Sequence, residues 1–445
     1  MKYIRTYETE EKFLTDKDST SRGFRLKPTL YRYSEAGDHV HLELDDPRKH
    51  GDSTYMEITL DSDAEFSFYI GNKSGDTQTT MTCTIDWSDG TVETKTITKD
   101  NYGFKLAHSY VAGSYKIELY GVERGYRVVG DVSKSLISHS SSVKRVVIGS
   151  SVVSIGEDAF RSCTSLTSVY IPESVTSINL CAFWKCTSLT SVYIPERVTS
   201  IEYGAFANCS SLTSVYIPER VTSIGGSAFT NCSSLTSIHI PESVTSIESS
   251  VFTNCTSLTS VNIPERVTTI ENNTFSNCTS LTSIHIPESV NSIGFGAFSS
   301  CTSLTSIHIP ESVNSIAGFD GCTGLTSINI PEGVTSISGF SGCTGLTSIN
   351  IPEGVTSIKS DAFSGCTGLT SIRIPERVTT IGAWAFQDCS SLTSISSFNT
   401  TAPTLNNSVF ENLPTNGTLH IKPGATGYDV WLYFLPEGWT IVEDL

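Results

Sequence analysis

Eleven cysteines recur along this chain at a fixed interval, and that interval limits the fold more than any other feature of the sequence. Cys163, Cys186, Cys209, Cys232, Cys255, Cys278, Cys301, Cys322, Cys343, Cys366 and Cys389 follow one another every 23 residues, with two steps of 21. Only Cys83 and Cys181 stand outside the series. A short constant period is the mark of a stacked repeat, in which each unit buries its apolar face only against its neighbours.

The unit from Cys163 reads C-T-S-L-T-S-V-Y-I-P-E-S-V-T-S-I-N-L-C-A-F-W-K before it begins again. A leucine column runs from Leu166 to Leu392. A Val/Ile column follows three residues on, from Val169, and an Ile column two further on, from Ile171. This L-x-x-V-x-I spacing suits a short strand that points alternate residues into a coil. A second apolar pair such as Val175 and Ile178, and an aromatic three residues before each Cys, such as Phe160 or Phe183, complete the interior. A degenerate first turn is visible in Val143, Val146, Ile148, Val152 and Ile155. The pattern predicts a parallel solenoid of about twelve turns, on the order of 55 Å long at ordinary strand spacing. Two turns are short, Ile316–Phe319 and Ile337–Phe340. There a tightened back face under an intact sheet is expected.

The pattern L-x-x-I-x-I-P-x-x-V-x-x-I-x-x-x-A-F-x-x-C resembles the BspA-like, Treponema-type leucine-rich repeats of bacterial surface proteins. The resemblance covers about residues 140–397. It implies a right-handed, curved solenoid used for adhesion or protein binding, at the cell surface or secreted, with no catalytic residues.

Residues 51–125 follow a different grammar. Alternating runs such as Tyr55–Leu60 and Glu65–Ile70 precede Trp87-Ser-Asp-Gly90 and His108-Ser-Tyr-Val-Ala-Gly-Ser-Tyr115. Asp89-Gly90 supplies the left-handed backbone that a tight hairpin needs. The pairing of W-x-D-G with H-x-Y-x-x-G-x-Y resembles a PKD-like, immunoglobulin-type β-sandwich, which implies a spacer with Trp87, Tyr110 and Tyr115 in its core. Residues 1–50 carry no assignable role; a short helix is expected at Glu8–Leu14 and a strand from Val40. After Ser397 the repeat ends, and the aromatic residues of 398–445 (Tyr428, Trp431, Tyr433, Phe434, Trp439) are expected to cap the solenoid. The fold class is therefore mainly β: an N-terminal segment (1–50), a β-sandwich (51–125), a solenoid (126–397) and a C-terminal cap (398–445).

Composition excludes some functions. Acidic residues outnumber basic ones by 46 to 29, a net charge of −17. That disfavours nucleic acid, whose binders present a basic face. No apolar run approaches the roughly 18 residues of a membrane span, and the N-terminus as given shows no signal peptide. Ladder thiols that all point inward along one direction lack disulfide geometry, so they are expected to be reduced and buried, without metal. Ten glutamates follow the prolines, from Glu173 to Glu376. They read as a solvated edge rather than a calcium rim, since no turn offers a dedicated oxygen cluster.

The outward residue of the longer strand is the informative column: Tyr170, Tyr193, Tyr216, His239, Asn262, His285, His308, Asn329, Asn350, Arg373. Its neighbours repeat, whereas it changes in blocks. We take Tyr170, Tyr193, Tyr216, His239, Asn262, His285, His308 and Arg373 as candidate ligand contacts, the three tyrosines presenting flat apolar faces with hydroxyls at the rim. Self-stacking that merely stabilises the sheet is the competing reading. His285 and His308 on adjacent turns lack a third metal ligand. No catalytic motif and no cofactor motif is present. The expected function is non-enzymatic recognition of a protein or carbohydrate by a monomer. A phage-encoded component that binds a host without classical export is the alternative, and ice binding by Thr/Ser arrays is a remote third.

Overall fold

The computed structural model describes residues 31–33, 40–42, 54–60, 64–72, 80–98, 104–120, 126–128 and 140–445. Among these, helix is confined to two short 3-10 segments, Ser140–Ser142 and Tyr428–Tyr433. The rest is a parallel-strand solenoid of about 13 turns, joined at its N-terminal end to antiparallel strands.

Each turn has three sides. A front strand such as Ser191–Tyr193 is followed by a Pro-Glu bend, a two-residue side strand such as Ser200–Ile201, and a back segment that carries Ala-Phe. The predicted interior columns point inward: Leu189, Val192, Ile194, Val198, Ile201, Phe206 and Cys209 are buried in one turn, and their counterparts are buried in the other repeats apart from Ile284, which is partly buried. The phenylalanines stack from turn to turn, from Phe160–Phe183 at 5.2 Å between ring centroids to Phe386–Phe410 at 5.9 Å.

All thirteen cysteines are free and buried. The ladder thiols also have a hydrogen-bonding role. Cys186 Sγ donates to the carbonyl of Phe160 at 3.1 Å, and Cys209 to Phe183, Cys232 to Phe206, and so on to Cys389 and Phe363. The Phe160 carbonyl already accepts the amide of Cys163 in its own turn. One carbonyl thus ties two consecutive turns together. The threonine columns have a similar role on the front. Thr167 reaches the Lys144 carbonyl with both its amide, at 3.0 Å, and its hydroxyl, at 3.1 Å. Thr213 does the same to Thr190 and Thr259 to Thr236.

At the N-terminal end the sheets do not stop. The front strand Val143–Val147 pairs in parallel with Ser168–Tyr170 on one side and antiparallel with Thr54–Leu60 on the other. Thr54–Leu60 continues through Gly113–Tyr120 and Thr80–Asp86 to Val92–Thr98. The side sheet likewise runs from Val152–Ile155 through Tyr126–Val128 to Ala64–Asn72 and Phe104–Tyr110. Backbone pairing therefore crosses the 125/126 boundary on both sheets, and one apolar core takes in Ile58, Leu60 and Ile117 with the solenoid interior. An open first turn would expose strand edges that invite aggregation; these strands cover it.

The hairpin expected at Asp89-Gly90 is present, with Thr80–Asp86 antiparallel to Val92–Thr98 and Gly90 at φ +95°. Trp87 and Tyr110 are buried, and the Tyr110 hydroxyl donates to the Trp87 carbonyl at 2.9 Å. Val40–Leu42 is a strand, antiparallel to Tyr31–Tyr33. The helix expected at Glu8–Leu14 lies outside the described residues.

Two expectations need correction. The solenoid does not end at Ser397: Thr418–Ile421 pairs with Ser394–Ser397, and Thr440–Glu443 pairs with Thr418–Ile421. Phe410 takes the phenylalanine position of the added turn, and only then does Trp431 close the stack, tilted by 51° at 5.4 Å. The repeat wording is lost there while the apolar positions survive. Nor is the front sheet intact at the short turns. Between His285 and Ser371 no front strand forms, and one isolated bridge, Asn329–Asn350, remains. The phenylalanine stack and the back-face bonds persist through the same region, for example Phe298 amide to Gly318 carbonyl at 2.7 Å. The mismatch in coil length is therefore taken up at the front, where only three residues per turn pair.

Two outcomes follow from this packing. Leu258 is fully buried between two turns, so Leu258→Ala should cost roughly 2–5 kcal/mol. Glu265→Gln, on the exposed edge, should leave the thermal midpoint nearly unchanged; the reverse ranking in thermal melts would refute the inward and outward assignment. Burial pushes the Cys83 thiol up to about 11 and those of Cys278, Cys322 and Cys366 to about 12. At pH 8 the native protein should therefore resist iodoacetamide, and all thirteen cysteines should alkylate once it is denatured without reductant, as counted by intact mass.

Candidate binding surface

The front strand presents one outward side chain per turn between its two inward ones, and that position holds the candidate column. Backbone register superposes its members: Tyr193 lies opposite Tyr216, Asn262 opposite His285, and Tyr216 bridges to His239. Tyr170, Tyr193, Tyr216 and Arg373 are half-buried, whereas His239, Asn262, His285 and His308 are exposed.

The column does not stand alone. Each of several members reaches back to the glutamate twenty positions earlier, which the Pro-Glu bend of the preceding turn places alongside. The Tyr193 hydroxyl donates to Glu173 Oε1 at 3.2 Å and the Tyr216 hydroxyl to Glu196 Oε1 at 3.0 Å. His285 Nε2 lies 3.7 Å from Glu265 Oε1, His308 Nε2 lies 3.6 Å from Glu288 Oε1, and Arg373 pairs with Glu353. The glutamate ladder, read from sequence as a solvated edge, is thus also the partner row of the variable column. Sequence comparison of the turns missed this because the two rows sit in different turns.

The tyrosine rings correct a further expectation. Tyr193 and Tyr216 stack 5.8 Å apart with planes only 5° from parallel. Their faces are turned to one another along the axis, so the strip shows ring edges and hydroxyls to solvent rather than open faces. Burial first, and then the Glu173 and Glu196 carboxylates, hold the Tyr193 phenol well above the usual tyrosine value. Burial and Glu173 raise Tyr170 in the same way. These hydroxyls remain protonated donors across the physiological range.

Charge changes along the column. From Val267 to Ile358 the chain has no lysine or arginine but carries six carboxylates, Glu271, Glu288, Glu311, Asp320, Glu332 and Glu353. His285 and His308 sit on the front of this acidic stretch. Among the described residues no group of three or more His, Cys, Asp or Glu side chains is disposed to hold a metal ion.

A second variable region was not anticipated. It lies at the side and back, two, three and six positions after each side-strand isoleucine, where most turns carry Gly, Ser, Thr or Asn. Leu180, Tyr203, Phe295 and Trp384 are exposed there. In the same region the Arg161 guanidinium lies 4.2 Å above the Trp184 ring. The turn-by-turn comparison that singled out the front column would have found these positions as well.

The model of the family described as BspA type leucine-rich repeat region matches residues 131–256, 222–339 and 317–426, which together cover most of the chain. Among solved structures, a leucine-rich repeat protein from Bacteroides ovatus is 24% identical with a TM-score of 0.59, over 83% of this chain and 100% of that one. It shows the fold. A leucine-rich cell surface protein from Faecalibacterium prausnitzii is 34% identical over 63% of this chain and 84% of that one, with a TM-score of 0.46. No curated protein matches the chain. No helix among the described residues is long and apolar enough to cross a membrane.

Proposed function

The chain belongs to the BspA type leucine-rich repeat family, and from that membership we propose that it is a non-enzymatic binding protein, displayed on a cell surface or secreted, that recognises a polypeptide through the front of its solenoid. The observation that carries this reading is the outward column. Where the fold dictates a residue the turns repeat it, and within the front strand this column differs in blocks, from Tyr170, Tyr193 and Tyr216 to His239, Asn262, His285 and His308 and then Arg373.

The chemistry of the strip favours protein over sugar at this place. Sugars stack on open aromatic faces, and one face of Tyr193 and one of Tyr216 are closed against each other. Ring edges bordered by hydroxyls and carboxylates instead suit backbone amides and cationic side chains, which donate to Glu173, Glu196 and their successors. Rigid tyrosines give up little side-chain entropy on contact. The strands of 51–125 belong, in this reading, to a PKD-like β-sandwich. It is joined to the solenoid by two shared sheets, so it fixes the orientation of the front strip.

The test uses the full-length chain. A protein array identifies a partner, and affinity is then measured for wild type and for Tyr193→Ala, with circular dichroism confirming the fold of the variant. Truncation of a central aromatic at a real interface costs about 2 kcal/mol, so the dissociation constant should rise by more than tenfold. An unchanged constant in a folded variant would remove the strip from the interface.

A further inference from the structure

A groove runs along the corner between the back segment and the front strand, on the opposite side of the buried cysteine ladder from the core. It holds about 390 Å³. One wall carries Asn208, Asn231 and Asn254, and the other carries Ser210, Ser233 and Thr256. Lys185 stands at its N-terminal end. In a chain of net charge −17 this groove has no carboxylate in its lining.

The asparagines occupy a left-handed backbone position, with φ of 63° at Asn208, 60° at Asn231 and 60° at Asn254. That geometry favours glycine or asparagine, and other turns meet it with Ser162, Lys185, Ser300 and Asp388. Later turns answer it with glycine, at Gly321, Gly342 and Gly365. The groove turns answer it with asparagine, and so add an amide to every step. Asn254 Nδ2 donates to Asn231 Oδ1 at 2.7 Å, and Asn231 Nδ2 donates to Asn208 Oδ1 at 3.0 Å. An amide has two N–H groups and two acceptor lone pairs, so the ladder uses one of each and leaves capacity at each turn. Across the groove, Ser210, Ser233 and Thr256 donate to the carbonyls of Thr187, Ser210 and Ser233 of the turn before. Their oxygens remain as acceptors.

We propose that this groove is a binding site for a linear acidic oligosaccharide. The lining offers uncharged donors and acceptors at every turn, spaced by the strand separation. Successive sugar units of an extended chain advance by a similar step, so each unit meets one amide and one hydroxyl. Hydroxyl-rich ligands both donate and accept, as this lining requires. The Lys185 ammonium, for which no carboxylate partner is found among the described residues, sits 5.9 Å from the Trp184 ring centre and supplies the charge for a sugar carboxylate. The site is separate from the front tyrosines, so it stands or falls independently of the polypeptide reading.

Isothermal titration calorimetry of the full-length chain tests it, with tetrasaccharides of galacturonate, hyaluronan and alginate and with the methyl ester of tetragalacturonate as the uncharged counterpart. At least one acid should bind with a dissociation constant of about 1 mM or tighter. Asn231→Gly with Asn254→Gly borrows the residue that later turns use at the same backbone angle, so the fold should persist. Binding should weaken by about fivefold for each hydrogen bond lost. Lys185→Asn, the residue of the next turn, should abolish the preference for the acid over its ester. Tyr193→Ala should leave the titration unchanged. Absence of binding by all three acids, or equal affinity in wild type and the folded double variant, would overturn the assignment.

Discussion

The solenoid is tied together by a Phe carbonyl that serves two turns at once. A single turn of 23 residues has too little interior to exclude water, so its stability comes from the turn before and the turn after. The carbonyl of Phe160 accepts the amide of Cys163 within its own turn and the thiol of Cys186 from the next. Cysteine is small enough for the tight interior and still carries a weak donor, which an alanine at the same place would lack. The same bond recurs from Cys186 to Cys389 and sets the register that stacks the phenylalanine rings beside it. With that register fixed, the front residues fall opposite their equivalents, and only then do an outward column and a glutamate row exist as surfaces.

The framework explains why outward positions are free to vary along this chain while interior ones are not. Interior columns admit little change, because each side chain touches two neighbours of its own kind. Outward positions are constrained only by the adjacent turn. The front column exploits this freedom with tyrosine, histidine, asparagine and arginine, and Tyr193, Tyr216, His285, His308 and Arg373 each reach a carboxylate of the preceding turn. The back corner exploits it with the asparagine ladder. Where two residues are missing from the coil, the interior keeps its stack and the front loses its strands, so the surface yields before the core does.

Much of this was legible in the sequence, for identifiable reasons. The period, the inward columns and the unpaired state of the cysteines all follow from identical side chains in identical places. The Asp89-Gly90 hairpin follows from turn chemistry. What was hidden involves partners that no repeat spells out. The acceptor of each ladder thiol from Cys186 to Cys389 is a backbone carbonyl, which carries no residue signature. The pairing of Thr54–Leu60 with Val143–Val147 joins two unlike segments, each of which reads alone as a strand of its own module. The edge-on presentation of Tyr193 and Tyr216 depends on ring rotation, which spacing cannot supply. The extra turn at Thr418–Ile421 was masked because its residues keep the apolar pattern and abandon the wording.

The central claim is that the N-terminal strands and the solenoid share continuous sheets and one core. Hydrogen exchange followed by mass spectrometry on the full-length chain tests it most directly, by comparing peptides that cover Thr54–Leu60 with those that cover Val143–Val147. Continuous pairing predicts that both are strongly protected and open together as denaturant is raised, since strands in one cooperative unit share an opening free energy. Rapid exchange of Thr54–Leu60 beside a protected Val143–Val147 would show instead that the two parts are separate bodies, and would contradict the account.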